Sequence, residues 1–308
     1  MKDEELPLVS PFTLVYNTGQ FVIEALKSVQ ANNYPNLDHV IIDDCSSDDS
    51  ARIVEDWIRE NNYKCTFIKH EKNQGVCRSL NEVMTLAKGE FTFGVSDDLI
   101  SSDYIRTCVH ALKKAGPEYC LSYCNSRIID EDGGVIAGDY YAYNNFSFEK
   151  MPAGDVYREI LLSNFINSIG AMYRRAYIDE VGRYDESLYF EDWDLHIRLL
   201  KKFKVFKISQ TLTSYRVRKN SISAARNPRY YESLLLISFK ILKFPESDKG
   251  SMRTRIADHT EYYLKAGGDR LKMYWESFMN APGFKTLTFL IMRLTGLGYK
   301  TYRRMSGR

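Results

Sequence analysis

Strand-like and helix-like patterns alternate regularly along the first 125 residues of this 308-residue chain. The predicted strands are short apolar runs, and the segments between them repeat apolar residues at the spacing of an amphipathic helix. The predicted strands span 9–15, 39–44, 64–70, 89–95 and 119–125, and the predicted helices span 20–32, 50–62, 78–87 and 102–115. This alternation is typical of a parallel sheet with helices on both faces, and it predicts an α/β fold.

The pattern changes after residue 125. The predicted elements are, in order, a hairpin over 128–138, a Tyr- and Asn-rich loop over 139–147, a helix around 155–163, a strand around 169–174 and a helix that starts near Glu191. From about residue 228 onward the segments look helical and interleave Tyr with basic residues. We therefore predict one α/β domain over residues 1–223 and a helical region over 224–308.

Composition excludes some classes of protein. The 42 basic and 40 acidic residues nearly balance, so the overall charge indicates no nucleic-acid partner. No run of 18 apolar residues is present that would span a bilayer, and the first residues lack the apolar run of a signal peptide. The six cysteines are scattered without a C-x-x-C pair. We expect reduced thiols and a cytoplasmic protein.

Two pairs of adjacent carboxylates follow predicted strands. Asp43 and Asp44 end the second strand, and Asp97 and Asp98 follow the fourth. Ligands of an open parallel sheet bind beyond the carboxyl ends of its strands, although either pair alone is equally typical of a cap or turn. No G-x-G-x-x-G or G-x-x-x-x-G-K-[ST] motif is present, which argues against a dinucleotide fold and the usual phosphate loop. An acidic pair can instead hold a divalent cation against a diphosphate.

A third acidic cluster lies in the first turn of a predicted helix. Glu191, Asp192 and Asp194 surround Trp193, and apolar residues follow at helical spacing. Acids interact favourably with a helix N-terminus, which is the structural explanation of such a cluster. That explanation suits one acid better than three, so the cluster is also a candidate site.

Six segments together resemble the family 2 glycosyltransferases of the GT-A fold, a large group of inverting enzymes that use nucleotide sugars and build bacterial polysaccharides. The segments are 14–36, 40–50, 73–84, 89–98, 189–199 and 213–223. They occur in the family's order and spacing and cover about residues 7–223. The resemblance implies a Rossmann-like, mostly parallel sheet, and it gives no information on the last 85 residues.

The resemblance implies a donor site built from the amino-terminal half of the chain. Tyr16 would pack on the nucleotide base, beside Asn17, and Asp44 would accept a hydrogen bond from uracil N3–H. Asp97 would meet the ribose, and Asp97 and Asp98 would hold Mg²⁺ or Mn²⁺ against the sugar diphosphate. The expected donor is therefore a nucleotide-diphospho sugar, most simply a UDP-sugar.

The resemblance also implies an acceptor site in the third acidic cluster. Asp192 matches the family's general base, and Glu191 beside it would orient hydroxyls of the acceptor or the sugar. Trp193 would lie among the substrate-binding residues. The expected acceptor is a hydroxyl of a saccharide or of a lipid-linked saccharide.

The chain departs from the family's pattern at three positions. Val95 occupies the first position of the longer acidic motif, which leaves Asp97 and Asp98 to serve metal and ribose. Leu14 replaces a Pro or hydroxyl residue at the base pocket, so its contact there would come from the backbone. Arg218 stands where many members place a metal-binding histidine, and because a guanidinium pairs with phosphate, we expect it to contact the diphosphate directly.

Two other functions fit parts of the sequence. A catalytically silent relative could bind nucleotide sugars or act as a scaffold subunit, because fold does not fix function. A nucleotidyltransferase that makes the activated sugar would need a Gly-rich, basic phosphate loop, and the segment TLVYNTGQF is neither. The presence of Asp44, Asp98 and Asp192 together favours an active glycosyltransferase.

The carboxyl-terminal segment 283–308 carries six cations and no acid. Its apolar residues repeat at three- and four-residue spacing and predict one face of a helix: Phe284, Leu287, Leu290, Ile291 and Leu294. The face could pack on the catalytic domain. It could instead rest on anionic lipid at the inner face of the cell membrane, where basic residues are attracted to the surface.

Overall fold

The structure is a computed structural model, and it describes residues 6–218, 226–297 and 299. The described residues form two compact units. The first unit contains residues 6–186 and 191–218, and the second contains residues 187–190 and those from 226 onward. The boundary predicted at residue 223 lies outside the described residues and stays a prediction.

The first unit contains the strands and the shorter helices. Its strands are β1 (Val9–Val15), β2 (His39–Asp43), β3 (Cys65–Lys69), β4 (Phe91–Gly94), β5 (Leu99–Ile100), β6 (Tyr119–Ile129), β7 (Val135–Ala137), β8 (Ala171–Arg174) and β9 (Lys204–Arg216). Its helices are α1 (Phe21–Gln30), α2 (Ser50–Glu60), α3 (Val76–Leu86), α4 (Tyr104–Ala115), α5 (Tyr140–Tyr143), α6 (Tyr157–Leu162), α7 (Arg175–Glu180) and α8 (Asp192–Leu200). The α/β class predicted from the alternating pattern is confirmed.

All nine strands of the described chain belong to one sheet, in the order β3-β2-β1-β4-β8-β6-β9-β5, with β7 beside β6. The first four strands pair in parallel, as the alternating pattern predicted. Beyond them the sheet is mixed, because β8 runs antiparallel to both β4 and β6 whereas β9 runs parallel to β6. The prediction of a mostly parallel sheet therefore holds for the amino-terminal half only.

Two apolar clusters fix the helices on the sheet. In one, α1 and α4 bury Val29 and Val109 beside Phe93 of β4. In the other, α2 buries Val54 and Trp57 against β1 and β2. The predicted helical faces are thus the buried faces, and they hold the ends of the parallel strands in place.

The link between β4 and β5 crosses from one part of the sheet to another. Asp97 and Asp98 lie in this link, directly before Leu99, which pairs with Ser214 of β9. The sequence analysis assigned no strand to 204–216, so the strand that faces the acidic pair was missed.

The second unit is helical. Its helices are α9 (Pro228–Leu242), α10 (Lys249–Lys265), α11 (Leu271–Asn280) and α12 (Phe284–Leu294). Asn227 and Asp248 cap α9 and α10 by accepting hydrogen bonds from backbone N–H groups of the first turn. The predicted helical carboxyl-terminal region is confirmed.

Candidate active site

The loops that follow β1 and β2 are joined by hydrogen bonds. The Asn17 side-chain oxygen accepts from the Ser47 backbone N–H at 2.8 Å, and the Asn17 N–H donates to Ser46 Oγ at 3.0 Å. Asn17 has a φ of 51°, in the left-handed region that asparagine tolerates. Tyr16 beside it is 51% exposed, and Leu14 is half-buried in β1. Tyr16 therefore offers an open ring face at the carboxyl edge of the sheet.

Asp44 is buried and orders the loop before α3. Its Oδ1 accepts from the Gln74 N–H at 2.8 Å, and its Oδ2 accepts from the Gly75 N–H at 2.9 Å. His70 lies between Asp44 and Glu82, with each ring nitrogen 2.8 Å from a carboxylate oxygen. Burial lowers the pKa of His70, but the hydrogen bonds with Asp44 and Glu82 outweigh it, so the pKa is raised. Whether Asp44 also accepts from a nucleotide base stays a prediction.

Asp97 and Asp98 are held by the end of β9. Asp98 Oδ1 accepts from the Arg216 backbone N–H at 2.7 Å, and Arg216 Nε donates to the Asp97 carbonyl at 2.8 Å. Asp97 Oδ2 forms an ion pair with Arg218, whose Nε lies 2.5 Å away. Burial, followed by the neighbouring charge of Asp97, raises the pKa of Asp98 well above its usual range. The structure therefore brings Asp97, Asp98 and Arg218 into one cluster.

Arg216 is the buried anchor of this cluster. Its side chain is fully buried and donates to the carbonyls of Asp130 and Glu131 at 3.2 and 3.0 Å. It also pairs with Glu24 of α1 at 2.5 Å. The sequence analysis did not single it out, although Arg216 and Arg218 are two residues apart, the spacing that puts side chains on one face of a strand.

The acidic pair can hold a divalent cation only when a ligand from outside the protein also contributes. Among residues 6–218, 226–297 and 299, no group of three or more His, Cys, Asp or Glu side chains could hold a metal ion. Mg²⁺ accepts one or two carboxylates when phosphate oxygens and water complete its shell, and Asp97 and Asp98 supply that number. One Asp97 oxygen is already engaged by Arg218. The residues therefore fit a cation that arrives with a phosphate ligand.

Asp192, at the start of α8, is held by a chain of hydrogen bonds. Its Oδ2 accepts from Asn164 Nδ2 and from Ser168 Oγ, each at 2.9 Å. Asn164 Oδ1 lies 2.9 Å from His196 Nδ1, and His196 Nε2 lies 2.8 Å from the Tyr173 hydroxyl. Burial lowers the pKa of His196 to about 4, so its ring is neutral. Because an amide oxygen only accepts, Nδ1 carries the proton and Tyr173 donates to Nε2.

Glu191 precedes Asp192 and differs from an ordinary glutamate. Burial, and then the charge of Asp192, raises the pKa of Glu191 to about 7. Two adjacent carboxyl groups that resist joint ionisation are typical of a site that handles protons.

The neighbours of Asp192 on α8 have structural contacts. The buried indole of Trp193 donates to the Ile160 carbonyl at 2.8 Å. Buried Asp194 accepts from Arg198 Nε at 2.8 Å, one turn along the helix. Trp193 is thus explained by packing, and a role in binding substrate stays a prediction. Of the three acids in the cluster, Asp194 is used within the fold.

A cavity of about 200 Å³ adjoins Asp192 through Asn164, which lines it. Aromatic and amide side chains dominate the wall, which is formed by Tyr140, Tyr141, Asn144, Phe146, Met151, Ser163, Asn164, Phe165, Ile166 and Asn167. The volume is below the roughly 300–1,000 Å³ that holds a drug-sized ligand, so the cavity suits a single small ring. Four of its residues come from the predicted Tyr- and Asn-rich loop over 139–147.

Comparison with known proteins agrees with the geometry. The model of the family described as "Glycosyl transferase family 2" matches residues 11–182, more than half of the chain. The chain belongs to glycosyl transferase family 2. The match covers the acidic ends of β2 and β4.

Three proteins are similar to this family member in sequence or in fold. The GalNAc(5)-diNAcBac-PP-undecaprenol beta-1,3-glucosyltransferase of Campylobacter jejuni is 23% identical over 232 residues, covering 75% of this chain and 72% of that protein. S. aureus TarS 1-349 in complex with UDP-GlcNAc has a TM-score of 0.64 at 18% identity, with 94% and 92% coverage. The mannosyltransferase PcManGT from Pyrobaculum calidifontis, in complex with GDP-Man and Mn²⁺, has a TM-score of 0.62 at 16% identity, with 99% and 84% coverage. The fold is GT-A.

The chain matches other curated glycosyltransferases over a smaller part of their length. It spans 33% and 37% of the length of two of them. These relatives therefore contain long segments that this chain does not match.

Several residues that contact the candidate site were not singled out from the sequence. They are His70, Asn164, Ser168, Tyr173, His196 and Arg216. Each is a polar residue within a strand, a helix or a loop. Its role depends on the partner that the fold brings into contact with it, and the local sequence does not name that partner. The two asparagines in NFINSIG (164–170) were the available signal for the segment that holds Asp192.

Proposed function

We propose that this glycosyltransferase inverts the anomeric configuration as it moves a sugar from a UDP-sugar to a hydroxyl of a saccharide or lipid-linked saccharide. The observation that carries the proposal is the fixed carboxylate of Asp192. Asn164 and Ser168 hold one oxygen, and the Trp193 backbone N–H donates to the other at 2.7 Å. A carboxylate fixed in this way suits a general base, which has to meet its substrate in one orientation.

In this mechanism the acceptor hydroxyl attacks the anomeric carbon from the face opposite the diphosphate. Asp192 takes the hydroxyl proton as the new glycosidic bond forms and the bond to the diphosphate breaks. Arg218 offers its guanidinium to the negative charge that develops on the leaving group. When bound with the diphosphate by Asp97 and Asp98, a divalent cation would supply further positive charge at the same place.

Support for a UDP-sugar comes from the donor end of the site. The exposed ring of Tyr16 is suited to stacking on a base, and buried Asp44 is fixed beside it. The TarS complex contains UDP-GlcNAc, whereas the PcManGT complex contains GDP-Man and Mn²⁺. A screen of UDP-, GDP- and dTDP-sugars by thermal stabilisation, with and without Mn²⁺, tests the nucleotide. Stabilisation by GDP- or dTDP-sugars alone would contradict the proposal.

We place the reaction in the cytoplasm, in surface polysaccharide biosynthesis. All six cysteines are free thiols, which suits a reducing compartment. The Campylobacter jejuni relative is named as a glucosyltransferase that acts on a lipid-linked saccharide. An acceptor of that kind would bring this enzyme to the inner face of the membrane.

Replacing Arg218 by Ala should weaken binding of the donor and free one oxygen of the acidic pair. Loss of a charged contact with the diphosphate is expected to raise the donor KM about 10- to 100-fold. The same change frees Asp97 Oδ2, so the Mn²⁺ affinity of the nucleotide-free protein should rise, and Arg218→His should raise it further because imidazole ligates metals. Electron paramagnetic resonance of Mn²⁺ measures this affinity without any turnover.

Lys114→Ala is the matched control for Arg218, because it removes one exposed positive charge from the last turn of α4, at the other end of the sheet. Lys114→Ala should change neither the donor KM nor the Mn²⁺ affinity. Donor kinetics and Mn²⁺ affinity that both stay at the wild-type value in Arg218→Ala would show that Arg218 has no part in the site.

Replacing Glu191 by Gln should change how turnover depends on pH. The pKa of Glu191 is raised to about 7, so the side chain ionises as the pH rises through neutrality. A second negative charge beside Asp192 favours proton transfer to it, and wild-type kcat should therefore rise through about pH 7. Glu191→Gln should lose that rise. A pH profile of the variant that coincides with the wild type would contradict this role of Glu191.

A further inference from the structure

Helices α11 and α12 pack against each other and are apolar on both sides. Their inner side chains join the core of the second unit: Met273, Tyr274, Phe289, Leu290 and Met292. Their outer faces each leave a row of apolar side chains exposed. The row of α11 is Leu271, Trp275 and Met279, and the row of α12 is Phe284, Leu287, Ile291 and Leu294. Phe284 is 88% exposed and Trp275 is 53% exposed, so these rows are not part of the core.

The structure extends what the sequence predicted for this region. The sequence indicated one apolar face over 283–308, with Leu290 in it. Leu290 is instead only 5% exposed and belongs to the core. The row on α11 was not predicted, and its last member, Met279, lies across a short turn from Phe284. The exposed surface is therefore made by two helices, and we call these seven side chains the outer rows.

Basic residues outnumber acidic ones in the sequence from α11 to the last residue. No acidic residue follows Glu276 in the sequence, whereas six basic residues do, and four of them lie beyond residue 299. Within the described chain, Lys285 is paired with Asp258 and Glu261, and Arg293 donates to the Asp269 carbonyl. Arg293 thus contacts a neutral carbonyl, whereas the 80%-exposed Lys272 of α11 pairs with Glu276 at 3.7 Å. An exposed apolar surface in a basic part of the sequence fits an anionic partner.

We propose that α11 and α12 dock the enzyme on an anionic lipid bilayer, with the outer rows between the headgroups and both helices in the plane of the interface. Among the described residues, no helix has the length and apolarity to cross a bilayer. The 11 residues of α12 extend about 16 Å, against a hydrocarbon core of about 30 Å. Exposed Trp275 is of the residue type that membrane interfaces favour.

A second copy of the chain fits this surface less well. A symmetric interface would bring the same basic segment of two chains together, and like charges would oppose each other. The membrane proposal concerns where the enzyme sits. It does not rest on the donor, the acceptor or the catalytic role of Asp192, so its test needs no turnover.

The test is flotation of the full chain with vesicles of phosphatidylcholine, with or without phosphatidylglycerol. The wild-type protein should float with the anionic vesicles at low salt, and high salt should weaken its binding because it screens the basic residues. The double variant Phe284→Ser/Ile291→Ser should bind at least about tenfold less, since each exposed apolar side chain contributes to burial in the interface. Trp275→Ser should also bind less, which tests the row on α11.

Ile136→Ser is the matched control, because Ile136 is an apolar side chain of β7 that is 48% exposed in the first unit. It should bind vesicles like the wild type. Wild-type binding by Trp275→Ser and by the double variant would overturn the proposal, as would failure of the wild type to float at low salt. Self-association that the double variant abolishes, without vesicle binding, would assign the surface to a second copy instead.

Discussion

Replacing Asp192 by Asn should reduce the turnover of sugar transfer by about two to four orders of magnitude, the usual contribution of a positioned general base. The amide keeps the shape of the carboxylate and an oxygen that can accept from Asn164 and Ser168, and it gives up only the contact with the Trp193 backbone N–H, so the surrounding segment should be retained. It cannot take a proton from the acceptor hydroxyl. Release of UDP in the presence of acceptor measures turnover, and calorimetry with the donor alone should give the wild-type affinity.

The competing explanation of Asp192 is that it only stabilises the N-terminus of α8. In that case the substitution would cost less than about 1 kcal/mol of unfolding free energy and leave the chemistry intact. Glu159→Gln is a matched control, because Glu159 is an exposed acid in the first turn of α6. It should retain full turnover. An Asp192→Asn enzyme that transfers sugar at the wild-type rate would remove the base assignment.

Replacing Asp98 by Asn should abolish the Mn²⁺-dependent part of nucleotide binding, with a loss of more than about 100-fold, because the charge of a direct ligand is removed. The substitution is chosen from the structure. The amide oxygen of Asn can still accept from the Arg216 backbone N–H, so the link to β9 is kept. Because an ionised carboxyl group is costly to bury, the free energy of unfolding should stay equal or rise.

Calorimetric titration of UDP with and without Mn²⁺ measures this effect, and chemical unfolding measures stability. Asp103→Asn is the control, because Asp103 is an exposed acid at the start of α4 that accepts from Ser101 Oγ and carries the same charge. It should bind UDP and Mn²⁺ like the wild type. Mn²⁺-dependent binding of UDP that survives Asp98→Asn would show that the acidic pair does not hold the cation.

The sequence was most informative where hydrophobic periodicity decides the structure. The strands and helices up to residue 115 end within a few residues of their predicted ends, because each helix buries one apolar face and β1 and β2 are apolar runs buried almost throughout. The hairpin predicted over 128–138 is also present as the pairing of β6 with β7. The mixed half of the sheet was not predictable in this way. Nothing local to β8 or β9 specifies which distant strand it joins.

The same distinction applies to the candidate site. Adjacent carboxylates at strand ends were visible in the sequence because their position is set by local structure. The partners of Asp192 were not, because Asn164 and Ser168 belong to a distant segment that only the complete fold brings beside α8. Trp193 shows the limit of position as a guide. Its place beside two acids predicts a substrate contact, which stays a prediction, whereas the structure shows its buried hydrogen bond to the Ile160 carbonyl.

The anchoring of Asp98 by β9 also has a consequence for folding. The hydrogen bond from the Arg216 N–H joins residues that are 118 positions apart. Contacts of such long sequence separation are slow to form, because a large loop has to close first. If Asp98 belongs to the donor site, as proposed, a chain that has not yet docked β9 has no complete donor site, and a nucleotide sugar would bind the finished fold alone. At 100 times its Kd, such a ligand would add about 2.7 kcal/mol to the free energy of unfolding and would slow proteolysis that proceeds through the unfolded chain.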